Sequence, residues 1–195
     1  MRSAKAMAYV SIPGRNQHLM VAEEITIFLG GHGICYRRWD TVAPSVQPEA
    51  TPEEILTAYA PEVEALKRHG GYSAADVINV TPATPNLDAM LNKFNKEHIH
   101  SEDEVRFILK GRGLFHIHLP HGLVVAIQVE AGDMINIPAG TRHWFDVCPE
   151  RTVRAIRLFK DPSGWSPQYL PDGLHEQYAP LCFGSQYFPF SNLQA

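Results

Sequence analysis

The sequence predicts a mainly β protein, a small antiparallel barrel or jelly roll with helices packed against its outside. Three observations predict it. From Glu97 to Lys160 the β-branched, alternating runs LVVAIQVE, DMINIP and TVRAIRLFK are separated by the turn-forming groups GRG, LPHG, EAGD and PAGT, the composition of hairpins. Before that stretch the apolar residues recur at helical spacing instead. Finally, His98, His100, Glu104 and His143 sit in two short β-like segments, and three imidazoles with one carboxylate suit a first-row transition ion.

The elements follow in order. In VAEEITIFLGGHG, Ile25, Phe28 and Leu29 form one apolar stripe and the glycines stop the helix. Thr51-Pro52-Glu53-Glu54 supplies an N-cap, a proline at the first helical position and a capping-box glutamate. Ile55, Tyr59, Val63 and Leu66 continue one helix as far as Gly70-Gly71. A third short helix is expected from Asn86 to Phe94. Roughly seven or eight strands can then be fitted into the β-like stretch and its flanks. The 195 residues are expected to form one domain, helical over about 1–94, barrel over about 95–160, and an irregular tail over 161–195 that drapes on the barrel.

A net charge of −4, with 17 basic residues and no basic run, gives no footprint for nucleic acid or an anionic membrane. No stretch approaches the about 20 apolar residues of a membrane span, and the N-terminus has no secretory h-region. A soluble, cytoplasmic monomer acting on a small molecule is expected. Cys35, Cys148 and Cys182 are odd in number and widely spaced, which suits free or buried thiols rather than a disulfide.

The motifs sharpen this. HIHSEDEVRFILKGRG carries His-x-His, three residues, Glu, six residues and Gly; GDMINIPAGTRHWFD carries Gly, five residues, Pro-x-Gly, two residues and His. Both resemble the two signature motifs of the cupin superfamily. With KFNKEHIHSEDEVRFILKGRG and RAIRLFKDPSGW added, the chain resembles the acireductone dioxygenases of methionine salvage from about Ile25 to Lys160 and into the tail. The resemblance implies one Fe(II) or Ni(II) per chain, held by His98, His100, Glu104 and His143. It also implies a substrate pocket containing Phe94, Arg106, Phe145, Arg157 and Trp165, with Arg106 and Arg157 assisting catalysis. It implies, further, that the acireductone is cleaved by O2 to formate and the keto-acid precursor of methionine with iron, or to formate, carbon monoxide and methylthiopropionate with nickel.

Read from the residues alone, several of these positions keep two meanings. Alternation along one strand places His98, His100, Glu104 and Arg106 on a common face. A buried Arg106 needs an anion, either a substrate enolate or an acid at the barrel mouth. Arg157 shares parity with Val153, Ala155 and Phe159, so it is expected to face inward, with the same two options. Phe94, Phe145 and Trp165 could equally be core aromatics. His116 and His118 form a second His-x-His without a following carboxylate, Gly122 standing there, and are expected to be an exposed or half-buried strand pair. Glu102 and Asp103 are expected to be solvated turn residues, and no general base is evident. Fold and ligands alone also allow another metal-dependent cupin, such as a different dioxygenase or a sugar isomerase, or a non-enzymatic ligand-binding cupin.

Overall fold

The computed structural model describes residues 8–39, 49–161, 166–180 and 182. Among them the elements run β1 (Tyr9–Ile12), β2 (Gln17–Leu19), α1 (Ala22–Gly30), β3 (Cys35–Arg38), α2 (Pro52–Ala58), α3 (Ala60–Gly70), β4 (Ala74–Val80), α4 (Leu87–Leu91), β5 (His98–Ile99), β6 (Glu104–His118), β7 (Val124–Glu130), β8 (Asp133–Ile137), β9 (Arg142–Val147), β10 (Val153–Phe159) and β11 (Gln168–Tyr169). One sheet runs β11-β5-β9-β6-β7-β1-β2 and the other β4-β10-β6-β8-β3, with every pairing antiparallel. The fold is the expected antiparallel β-barrel with helices outside it.

The strand common to both sheets is β6. Its first half pairs with β8 and β10, its second half with β7 and β9. Between the halves Ala155 lies opposite Ile108 and Arg154 opposite Lys110, so Leu109 is an extra residue, a β-bulge. One inserted residue reverses the parity that faces inward. Even-numbered Ile108 and odd-numbered Phe115 and Ile117 therefore share one interior, together with Ile135, Ile137, Val153 and Ala155 from the neighbouring strands and Ile25 and Leu29 from α1. The expected hairpin at GRG is thus corrected: Gly111 and Gly113 lie within a continuous strand. Gly111 has a φ of +77°, and a Cβ built there would lie 1.7 Å from the Thr152 carbonyl oxygen. At Gly113 the same space is filled by the Phe145 ring, 2.3 Å from a built Cβ.

Helices α2 and α3 cover the outer face of the second sheet. Ile55, Tyr59 and Val63 pack with Val105, Phe107, Met134, Ile156 and Leu158 in a second buried cluster. The capping box of α2 is present, with Glu54 N–H donating to the Thr51 hydroxyl at 3.2 Å and Thr51 N–H to the Glu54 carboxylate at 2.8 Å. The single helix expected over this stretch divides at Tyr59, because Pro61 has no N–H for the Thr57 carbonyl and its ring crowds that turn. The apolar stripe survives the break.

The stretch expected to be helical also contributes β1 to β4. Those strands hide in the sequence because they are three to seven residues long and because Arg37, Arg38 and Asp76 interrupt their alternation. The expectation of three free thiols is corrected too: Cys148 and Cys182 form a disulfide and Cys35 is free. Their 34-residue separation carries no sequence signal; the tail closes it by returning across β9, with Tyr178 against Trp144 and His116. No helix among the described residues is long and apolar enough to cross a membrane.

The bulge packing gives a direct test. Gly111→Ala should cost about 3 kcal/mol, from left-handed backbone strain plus overpacking on Thr152. That corresponds to a thermal midpoint lower by about 6–12 °C. Gly122→Ala, at φ +78° with no atom within 4 Å of the new Cβ, should cost only the backbone strain, about 1–2 kcal/mol. Equal midpoints for the two variants in a calorimetric scan would contradict this account of β6.

Candidate metal centre

Four donors from three strands and one connection meet inside the barrel. His98 on β5 is the register partner of His143 on β9, so their rings stand side by side, 4.6 Å between centroids. Glu104 opens β6, opposite Ile137 of β8. His100 lies between β5 and β6. The expectation of a single continuous strand is corrected, since β5 ends at Ile99 and residues 100–103 cross from one sheet to the other. That crossing, and not strict alternation, brings the glutamate against the histidines. All four are 1–4% exposed, and their nearest ligand atoms lie within 4.8 Å of one another.

The hydrogen bonds fix which nitrogens face the centre. His98 Nδ1 is 2.6 Å from the Lys96 carbonyl and His143 Nδ1 is 2.7 Å from the Thr141 carbonyl. A carbonyl can only accept, so both Nδ1 atoms carry the proton and both Nε2 lone pairs point inward. His98 Nε2 is buried with no hydrogen-bond partner. His143 Nε2 lies 2.8 Å from Glu104 Oε2, and His100 Nε2 lies 3.4 Å from the same oxygen. Lone pairs facing a carboxylate at that range call for a cation or a shared proton. Two ligands at right angles, each about 2.1 Å from an ion, are about 3 Å apart and a trans pair about 4.2 Å. The cluster therefore fits one transition ion after small side-chain movements.

Charge supports the same use. Burial raises the Glu104 carboxyl, but Arg106, His100 and His143 outweigh it and hold the group well below the usual carboxylate range. Burial, then the neighbouring His143, pushes the His98 imidazole down to about 4, so it is a neutral donor at neutral pH. Arg106, pushed down by burial to about 10, stays cationic.

The other expected site residues gather near this cluster to different degrees. Arg106 shares the interior face of Glu104 and lies 2.9 Å from its Oε1. Arg157 stands opposite Arg106 in the β10–β6 register, on the inward parity expected, and forms a two-pronged ion pair with Asp76 of β4. Phe145 packs on Phe115 with centroids 4.6 Å apart. Its N–H donates to the Phe94 carbonyl, and the Phe94 ring lies 6.1 Å from that of His98. Trp165 lies outside the described residues.

Two expectations near the site are corrected. Asp103 is not a solvated turn residue: it accepts from the Ala139 N–H at 3.1 Å and the Tyr72 hydroxyl at 3.0 Å, and pairs with Lys160 at 3.1 Å. Glu102 Oε2 is likewise buried. His116, expected to be at least half exposed, is 2% exposed and stacked on Trp144 at 4.8 Å, because the tail covers the outer face of β6 and β9. Both histidines of that second pair fall on the outer parity of β6, away from the donor cluster. Asp76 had no sequence signal; only the β4–β10 register reveals it as the partner of Arg157.

Comparison with known proteins agrees with the geometry. A profile of the ARD/ARD′ family matches residues 35–167. An acireductone dioxygenase of Picosynechococcus is 44% identical over 151 residues, covering 77% of this chain and 85% of that protein. One from Marinobacter nauticus is 48% identical over 137 residues, covering 70% and 72%. A solved structure of acireductone dioxygenase from Bacillus anthracis with cadmium ion in the active center superposes with a TM-score of 0.78 at 37% identity, covering 85% of this chain and all of that one.

If the four donors act as one site, elemental analysis of the purified protein should find about one transition ion per chain. His143→Ala should then cut occupancy sharply, since it removes both a donor and the neighbour of Glu104. Unchanged metal content in that variant would dissolve the site as drawn.

Proposed function

The chain belongs to the ARD/ARD′ family, and from that premise we propose that it is a metal-dependent acireductone dioxygenase of methionine salvage. It cleaves 1,2-dihydroxy-3-keto-5-methylthiopentene with O2. The observation that carries the reading is the convergence of His98, His100, Glu104 and His143 in a buried pocket with Arg106 against the carboxylate. Bound there, Fe(II) or Ni(II) would supply Lewis acidity and a template for the chelating oxygens of the substrate. The donors do not choose between the two ions, since nitrogen and carboxylate ligands bind several first-row ions with affinities set largely by the ions themselves.

The protein's own residues supply the rest. His98 and His143 present neutral nitrogens because their Nδ1 protons are committed to Lys96 and Thr141. Arg106 and Arg157, opposite each other on neighbouring strands and paired with Glu104 and Asp76, present guanidinium donors that an acidic enediol could engage as its anion. Asp76 holds Arg157 at the mouth, where the side chain keeps 19% exposure and remains reachable. Phe94 and Phe145 offer an apolar wall suited to a methylthio end. Burial of the donors keeps bulk water from the reacting carbons. The donors come from one chain, which suits a monomer. A cytoplasmic setting suits the pathway, although the Cys148–Cys182 bond is of a kind most cytosols keep reduced.

The two metal forms test the reading. Apo-protein reloaded with Fe(II) and given acireductone, then O2, should yield formate and 4-methylthio-2-oxobutanoate; the Ni(II) form should yield formate, carbon monoxide and 3-methylthiopropanoate. Arg157→Ala should keep its metal and raise KM about tenfold or more, the value of a charge-assisted contact. No O2 uptake by any form shown to be loaded would refute the assignment.

A further inference from the structure

Behind the donor pair His98 and His143 lies a second ionic group, built on a buried carboxylate. The residues preceding each donor, Glu97 and Arg142, project to the opposite face, as alternation requires. Glu97 is 0% exposed, yet its carboxylate accepts Arg142 Nε at 2.9 Å, Arg142 Nη2 at 3.2 Å and His118 Nδ1 at 2.7 Å. His118 is the register partner of Arg142 on β6, so three adjacent chain segments meet on one carboxylate. The tail closes the group: Asp172 pairs with Arg142, and Leu170 N–H donates to the Glu97 carbonyl.

Stability alone is a poor reason for such a group. Exchanging a buried ion pair for apolar residues of similar volume is often neutral or stabilising. What apolar residues lack is direction, whereas a guanidinium fork on a carboxylate fixes both distance and angle between the segments that carry it. Here those segments are β5 and β9. The two strands share one register pair, His98–His143, with single backbone bonds beyond it from Phe145 N–H to the Phe94 carbonyl and from Gly140 N–H to the His100 carbonyl; these hold the backbones together but leave the angle between the two segments without a continuous ladder. A clamp one residue away on each strand would define it.

We propose that Glu97, Arg142 and His118 form a positioning clamp that sets the separation and orientation of the His98 and His143 imidazoles, and with them the affinity and coordination geometry of the bound ion. This rests on the reading of the four inner residues as metal donors. None of the three clamp residues touches the substrate side of the barrel; they act through the donors.

The test uses the full chain loaded with Co(II), with affinity read by chelator competition and geometry by the visible ligand-field spectrum. Glu97→Gln and Arg142→Lys should each weaken Co(II) binding by roughly 10–100-fold, the usual effect of losing a group that orients a metal ligand. Each should also shift the ligand-field bands, which a loss of stability alone would not do. His118→Gln, which can still donate, should fall between these and the parent. His116→Phe, on the same outer face but stacked on Trp144, should leave both readouts unchanged. If Glu97→Gln does not fold, Arg142→Lys and His118→Gln decide. Parent-like affinity and spectrum in the clamp variants, with the parent binding one Co(II) per chain, would overturn the clamp and leave the metal reading standing. A parent that binds no Co(II) would overturn both.

Discussion

The Glu104 carboxylate is 4% exposed inside an apolar barrel, and its burial governs the arrangement around it. Ionisation there is possible only because Arg106 stands 2.9 Å from one oxygen while two imidazoles face the other. Each partner then acquires constraints. Arg106 must share the parity of Glu104, which it does two residues on. The His143 imidazole must be neutral on the carboxylate side, which the Thr141 carbonyl ensures by taking its Nδ1 proton. Compensating one buried charge thus constrains both the arginine and the histidine that face it.

The backbone meets those constraints through β6. Its first half delivers Glu104 and Arg106 to the second sheet, and its second half pairs with β9, which carries His143. Without the extra residue at Leu109 the inward parity set by Glu104 would continue, and His116 and His118 would face the interior in place of Phe115 and Ile117. The bulge therefore separates the two His-x-His pairs: one reaches the centre, the other the outer surface under the tail. Gly111 and Gly113 are needed for the same reason, one for a left-handed backbone, the other to leave room for the Phe145 ring.

What the sequence made legible follows from how local each signal is. The donors His98, His100, Glu104 and His143 could be found because ligand types and spacing are local, and the capping box at Thr51 because it spans one turn. The inward facing of Arg157 was legible by parity from Val153 and Ala155. Other features depend on contacts distant in sequence. Asp76 becomes the partner of Arg157 only through the β4–β10 register, 81 positions away. The Cys148–Cys182 bond needs the tail to return, and the turn-like GRG was misread because glycine marks bulges as readily as hairpins. The hydrogen bonding of Asp103 and the burial of His116 likewise depend on Tyr72 and on Trp144 with Tyr178, which sequence alone places nowhere near them.

Arg106 and Arg157 show why parity is not role. Both face the interior and stand opposite one another, yet one is sealed against Glu104 and the other pairs with Asp76, whose side chain is 45% exposed. The charge of Arg106 already balances a buried anion, so a substrate enolate could use it only by sharing it with Glu104. The partner of Arg157 is 45% exposed, so releasing it to water costs far less than stripping the arginine from the buried Glu104. Exchanging Asp76 for an incoming anion would therefore cost little. Arg157 is thus the more accessible of the two to an incoming anion, while Arg106 keeps the buried carboxylate ionised.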